Sequence, residues 1–309
     1  MKKVIVVGGS AGGIQALCSL LRGIPPDFPA PILAVIHIAE HSSALRDVLQ
    51  RSSKLPVTSP EQPTPLRAGS VYVAPANRHL IVKRGCAIAT MGPRENRHRP
   101  AVDTLFRSAA RAYRRSVVAV VLSGALDDGS AGALAVKSRG GSVIVQDPSD
   151  AEVSDMPSNV MRQVKTDQCL KIGDIAGALV RMVSNKRVTD LPELAGDECE
   201  MPEDIAANNE PIAFTCPDCG GALLEFKNGK STQLHCHVGH RFSFESFTEG
   251  HSEAVERAVW VALRKLRESQ AIYEHLAEGS NAQLKKRYKE NASAAAHDIK
   301  LLEEVLGRL

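Results

Sequence analysis

A single hydroxyl, Ser10, stands inside the glycine-rich run Gly8-Gly9-Ser10-Ala11-Gly12-Gly13. Four β-branched residues, Val4 to Val7, precede the run, and a helical apolar pattern, Ile14 and Leu17, follows at once. A serine on so sharp a strand-to-helix turn projects above the sheet edge, and the helix N-terminus behind it favours developing negative charge. This is a position for a nucleophile. Glycine-rich turns also cradle phosphates, although the dinucleotide fingerprint G-x-G-x-x-G requires glycine where this chain has Ser10. Serine is in addition a preferred helix N-cap, so the residue type alone leaves three readings open.

The chain supplies partners for a nucleophile. The apolar run Ile32 to Ile36 ends at His37, and the run Val117 to Leu122 leads into Ser123-Gly124-Ala125-Leu126-Asp127-Asp128-Gly129, which carries two carboxylates. Residues at the carboxyl ends of parallel strands line the crevice in which open α/β sheets bind ligands. Ser10, His37 and Asp127 or Asp128 therefore have the types of a nucleophile, a general base and an orienting acid. Their order differs from that of α/β-hydrolases, in which the acid precedes the histidine. A basic loop, Arg97-His98-Arg99, lies between them and reads as solvated surface unless the substrate is acidic.

A second constellation lies far downstream. Cys216-Pro217-Asp218-Cys219 is followed by Cys236 and His240, a C-x2-C knuckle with a later Cys/His pair. Thiolate and imidazole donors at that spacing suit Zn2+ in a closed, structural, four-ligand site. Cys216, Cys219, Cys236 and His240 form the expected ligand set, with His237 or His235 as alternatives for the fourth position. No cofactor is expected for catalysis.

The elements that position these groups follow from periodicity. Continuous apolar strands alternating with amphipathic helices predict an α/β fold, a doubly wound and mostly parallel sheet in three αβα layers. A hairpin is expected at Leu80 to Ala89 and a helix from Val102. Pro192, Pro202 and the acidic side chains between Glu193 and Asp204 mark a linker. Towards the C-terminus, Val255, Val259, Ala262 and Leu266, then Ala292, Ala295, Ile299 and Leu302, step by helical spacing about Gly279-Ser280-Asn281. They predict an antiparallel helical hairpin, with a surface for a homodimer or a docked receptor. The expected organisation is a catalytic domain over 1–183, a linker over 184–210, a small zinc knuckle over 211–248 and the hairpin over 249–309. The linker suggests that the knuckle and hairpin form a separable tail.

Composition narrows the function. A net charge of +3 over 309 residues gives no electrostatic case for nucleic acid. The apolar run after Met1-Lys2-Lys3 is too short for a signal peptide, and no stretch has the length of a membrane span, so no membrane insertion is expected. Seven cysteines without a paired framework suit a reduced, cytoplasmic setting.

Several stretches together resemble the catalytic domain of the chemotaxis protein-glutamate methylesterases, the CheB family. They are Gly8 to Gly13, His37, Ala74-Pro75 through Leu80, Arg97-His98-Arg99-Pro100 through Ser108, Leu122-Ser123-Gly124 through Gly129, Gln146-Asp147-Pro148 and Met156-Pro157. The resemblance implies a serine hydrolase that demethylates glutamate γ-methyl esters on chemoreceptors or other helical signalling proteins. Many members also deamidate receptor glutamines. By position it makes Ser10 the nucleophile, His37 the base and Asp128 the orienter, with the Ala125 amide at the oxyanion. It also sets Arg97, His98 and Arg99 against an acidic receptor helix. Two departures stand out: Ala11 replaces the usual threonine, and Gly124-Ala125-Leu126 replaces Gly-Met-Gly. The family's usual N-terminal receiver domain is expected to be absent, because the chain opens on the catalytic strand. The cysteine-histidine tail resembles an extension of some stand-alone members. The readings set against this are a non-catalytic nucleotide- or phosphate-binding protein and a scaffold working through its zinc-helix tail.

Overall fold

The computed structural model describes residues 3–37, 44–184, 211–228 and 231–308. The expected linker falls almost entirely outside them. The chain divides into two compact units, Met1–Phe247 and Thr248–Leu309.

In the first unit β1 (Val4–Gly9) leads through α1 (Gly13–Gly23) to β2 (Ile32–Ile36) and α2 (Leu45–Ser52). Five short strands follow: β3 (Val57–Thr58), β4 (Thr64–Pro65), β5 (Val71–Val73), β6 (His79–Lys83) and β7 (Cys86–Thr90). The remaining elements of the sheet and its helical layers are α3 (Val102–Tyr113), β8 (Val117–Val121), α4 (Ser130–Ser138), β9 (Ser142–Gln146), α5 (Asp155–Gln163), β10 (Gln168–Leu170) and α6 (Ile172–Ser184). Seven strands pair in the order β10-β9-β8-β1-β2-β5-β3, and every pairing is parallel. The β-branched runs are buried on both faces, as parallel strands between helical layers must be. One apolar cluster joins β-strand side chains such as Ile5 and Ala34 to α1, α2 and α6. The other joins Val6, Leu33 and Ala119 to α3, α4 and α5. The expected three-layer fold is thus present. The predicted hairpin is β6–β7, which together with β4 forms a separate antiparallel sheet.

Strand order reverses at β1, whose neighbours are β2 and β8. Ligand crevices of open α/β sheets lie at such a reversal, outside the carboxyl ends of the strands. The three strands that end at Ser10, His37 and the aspartate loop are these adjacent three.

The same unit contains a four-stranded antiparallel sheet, β11 (Pro211–Thr215), β12 (Ala222–Asn228), β13 (Ser231–Cys236) and β14 (Arg241–Ser243). Its core is small: Cys216, Leu223, Leu234, Cys236, Phe242 and Phe247. Two helices follow, α7 (Phe244–Glu278) and α8 (Ala282–Leu306), joined by the predicted turn. Asn281 caps α8 by accepting from the Leu284 amide at 3.1 Å. Within the second unit Tyr273 stacks on Tyr288, Arg267 pairs with Glu303, and Ala292, Ala295 and Ile299 are buried. Among the described residues no helix is long and apolar enough to cross a membrane.

Gly8 shows how tightly β1 and α3 meet, since a Cβ there would lie 2.1 Å from Val102 Cγ1. Gly8→Ala is therefore expected to push α3 away and lower the unfolding free energy by about 1–3 kcal/mol, measured by urea denaturation.

Candidate active site

The geometry of the site begins with its acid. Asp128 is 1% exposed and follows β8 into the loop before α4. Its Oδ2 accepts from the Val102 amide at 2.6 Å and meets His37 Nε2 at 2.8 Å. Its Oδ1 accepts from the Asp103 amide and from Asn96 Nδ2, both at 3.0 Å. Val102 and Asp103 open α3, whose own N-cap, Ala101, makes no side-chain cap bond, so the carboxylate sits on the positive end of that helix. Burial would raise the Asp128 carboxyl, but the His37 hydrogen bond and charge outweigh it and hold the group below the ordinary range.

His37 presents its other nitrogen, Nδ1, to Ser10 Oγ at 3.2 Å. With Nε2 facing a carboxylate, that nitrogen carries the proton, which leaves Nδ1 as the acceptor for the serine hydroxyl. His98 stacks on the His37 ring with centroids 3.7 Å apart and planes 16° apart. Burial, then the neighbouring His37, lower His98 to about 4, so at neutral pH an uncharged ring covers His37.

Ser10 itself is held by its amide, which donates to the Ser123 carbonyl at 2.9 Å. It does not cap α1: the N-cap is Gly12, with no side-chain cap bond. Beside it Gly124 must be glycine, because a Cβ there would meet Met156 Sδ at 2.1 Å and Ser10 Cβ at 2.8 Å. Ala125 is exposed at this loop, and among the described residues its amide has no acceptor. Leu126 carries a positive φ of 61°, a strained value for a non-glycine residue. The Asn159 side chain donates to the Leu126 carbonyl at 2.8 Å and holds the loop in that conformation.

The structure thus brings together Ser10, His37 and Asp128, and not Asp127. Asp127 turns away, and its Oδ1 lies 2.7 Å from Ser243 Oγ. The basic loop is heterogeneous. His98 lies on the site, Arg97 is half-buried at a φ of 66°, and Arg99 is committed elsewhere. Arg99 Nε donates to Asn77 Oδ1 at 2.8 Å and Nη1 to the Gly92 carbonyl at 3.0 Å, so its guanidinium ties the loop down.

Four supporting residues escaped assignment from sequence: Asn96, Asp103, Asn159 and His79. Asp103 Oδ1 accepts from the Gly129 and Gly132 amides at 3.0 and 2.6 Å, capping α4 as Asp128 caps α3. His79 is buried and bridges the Pro93 carbonyl and the Ala101 amide. Asp103 and His79 lie within the motif stretches that carried the resemblance, but nothing in those motifs separates a capping acid from a catalytic one.

At the other constellation, the candidate ligand atoms of Cys216, Cys219, Cys236 and His240 all lie within 4.8 Å of one another. Cys219 Sγ to Cys236 Sγ is 3.7 Å, and His240 Nδ1 is 3.4 Å from Cys236 Sγ and 3.7 Å from Cys216 Sγ. A tetrahedral zinc with about 2.3 Å bonds to sulfur has edges of roughly 3.8 Å, so the donor set fits that ion. His235 instead stacks on Phe226, and the His237 ring lies over Gly221.

Residues 5–179 match the CheB methylesterase family. The chain belongs to the CheB methylesterase family. A protein-glutamate methylesterase/protein-glutamine glutaminase of Anaeromyxobacter dehalogenans is 40% identical over 178 residues, which cover 57% of this chain and 52% of the relative. A putative protein of the same name from Leptospira interrogans is 34% identical over 185 residues, 59% of this chain and 96% of the relative. The chain thus spans about half the length of the first relative and nearly all of the second. Among solved structures, the CheB methylesterase catalytic domain of Thermotoga maritima aligns with a TM-score of 0.57 and 33% identity, covering 59% of this chain and all of that domain. The family fold therefore lies in the sheet and helices up to α6.

The two neighbouring aspartates give a pH prediction. Burial, then Glu245 and Asp128, raise Asp127 to about 7 against the opposing Ser243 hydrogen bond. Its unfolded value is about 4, so between these limits the folded state holds a proton that the unfolded chain releases. Its contribution is complete below about pH 4 and is lost as pH rises through 7. Asp127→Asn is expected to leave stability near pH 4 unchanged and to exceed wild type at pH 8 by about 1–4 kcal/mol, measured by urea denaturation at both pH values.

Proposed function

We propose that the protein is a protein-glutamate methylesterase in which Ser10 is the nucleophile, His37 the general base and Asp128 the orienting acid. The observation that carries this reading is the continuous chain from Ser10 Oγ through His37 to Asp128, at 3.2 and 2.8 Å. His37 Nδ1 takes the Ser10 proton as Oγ attacks the ester carbonyl of a methylated glutamate. Asp128 stabilises the imidazolium that forms, and neutral His98 adds no opposing charge. The oxyanion falls to the amide of Ala125 on the loop that Asn159 holds. His37 then returns the proton to the departing methoxide, methanol leaves, and a water activated by the same nitrogen hydrolyses the acyl-enzyme. With a glutamine substrate the same sequence releases ammonia, the glutaminase half of the relatives' name.

The partner in this reading is a methylated chemoreceptor or a similar helical signalling protein, met in the cytoplasm. His98 borders the base and, with Arg97 next to it in the chain, suits an acidic helix, whereas Arg99 supports the loop that carries them. We assign Zn2+ to Cys216, Cys219, Cys236 and His240, where it would cross-link the two knuckles of the ribbon as a structural ion. Trp260, Val261 and Ile272 are exposed on α7, and in this reading they serve self-association or docking.

Methanol release from a methylated receptor tests the reading together with labelling by a fluorophosphonate. Ser10→Ala is expected to abolish both, and Asp128→Asn to lower turnover by about 10²–10⁴-fold. Combining Ser10→Ala with His37→Ala should add little, because residues of one unit do not act additively. Full methanol release by Ser10→Ala would refute the mechanism.

A further inference from the structure

The ribbon is not separate from the catalytic layers, despite the linker that the sequence places between them. Beside its edge strand β14, the Asn96 amide donates to the Arg241 carbonyl at 2.7 Å, and the Arg241 amide to the Arg94 carbonyl at 3.4 Å. Asn96 is buried, and each end of its side chain has two partners. Nδ2 donates to Asp103 Oδ2 and Asp128 Oδ1, both at 3.0 Å. Oδ1 accepts from the Ser243 amide at 3.1 Å and from Ser246 Oγ at 3.3 Å. The Ser243 amide can only donate and an ionised carboxylate can only accept, so ribbon and acid hold the Asn96 amide in one orientation from its two ends. Ser243 Oγ, besides meeting Asp127, receives the Ser246 amide at 3.0 Å and locks the pair together.

We propose that the ribbon is a positioning element for the active site: zinc on Cys216, Cys219, Cys236 and His240 fixes Ser243 and Ser246, these fix Asn96, and Asn96 aligns the Asp128 carboxylate for His37. The proposal rests on the catalytic roles and the metal assigned above. Its first link is chain geometry, because His240 directly precedes β14, which ends at Ser243. Its second is energetic. Two of the six buried core residues of the ribbon are the candidate ligands Cys216 and Cys236, and so small a core needs metal to fold. Without the ribbon, Asn96 Oδ1 loses both donors while Nδ2 still faces two buried carboxylates. The side chain is then held at its Nδ2 end alone, so the donor it offers Asp128 Oδ1 loses its fixed position. Asn96, Ser243 and Ser246 are positioning residues: none touches Ser10 or the reacting ester.

The test uses the full chain, loaded with one equivalent of Zn2+ or stripped by a chelator, in wild type, Ser246→Ala and Asn96→Ala. Zinc loss from wild type is expected to slow fluorophosphonate labelling of Ser10 and to lower kcat by about tenfold or more, with KM within about twofold. Ser246→Ala should fall between the two states. In Asn96→Ala the zinc effect should vanish, since the relay has lost its middle member. Amide exchange reads the relay without activity: added zinc should protect the amides of Asn96, Val102 and Asp103. Unchanged exchange at these amides, or an equal zinc effect in Asn96→Ala, would overturn the proposal. Failure of zinc-loaded wild type to label at Ser10 counts against the hydrolase reading, and exchange then still decides whether the ribbon sets the loop.

Discussion

A buried carboxylate placed between two helix N-termini organises this molecule. Taking the Asp128 charge out of water costs several kcal/mol if it is left unpaired. The four N–H donors around it, two of them the first amides of α3, offset that cost at about 1.5–3 kcal/mol for each hydrogen bond to a charge. Asp103 does the same for α4 through Gly129 and Gly132. Neither helix has a side-chain cap of its own, so each borrows a carboxylate from the other's approach. The packing of α3 on α4 and the alignment of the Asp128 carboxylate on His37 are therefore a single structural fact. Two carboxylates so close cannot both ionise easily, and burial and the Asp128 charge raise Asp103 to about 8. Arg107, which hydrogen-bonds Glu95 and lies 4.0 Å from Asp103, supplies the compensating positive charge.

The same arrangement sets which ring nitrogen of His37 faces which partner. Its Nε2 reaches inward to Asp128 and its Nδ1 outward to Ser10, because β2 ends one strand away from β1 while the acid rises from β8 on the far side. The imidazole spans the sheet edge between them, and stacked His98 closes its open face. The loop under the oxyanion is the strained part. Leu126 occupies a left-handed conformation that glycine would hold more cheaply, and Asn159 keeps it there.

The tail alters the meaning of the family resemblance. Its match ends within α6, yet the ribbon beyond it shares a compact unit with the parallel sheet and hydrogen-bonds Asp127, the neighbour of Asp128. A segment outside the family pattern is thus built into the support of the family's site.

Much of this was legible in the sequence, and each part for a physical reason. Strands buried on both faces write themselves as unbroken β-branched runs, so Val4–Val7, Ile32–Ile36 and Val117–Val121 were readable without partners. Ser10, His37 and the aspartate pair stood at the ends of those runs, and the C-x2-C spacing singled out thiols that the fold gathers beside His240. Tertiary structure alone decided between neighbours. Asp127 and Asp128 are chemically identical, and only the direction of the loop sends one to His37 and the other to Ser243. His235, His237 and His240 differ only in which strand face or turn carries them. Nothing in the residue type tells that Arg99 is tied to Asn77 and Gly92. Asn96 is invisible in sequence because its role is relational. It matters through four partners on three separate stretches of chain, and sequence records residue types along the backbone but not the distances across it.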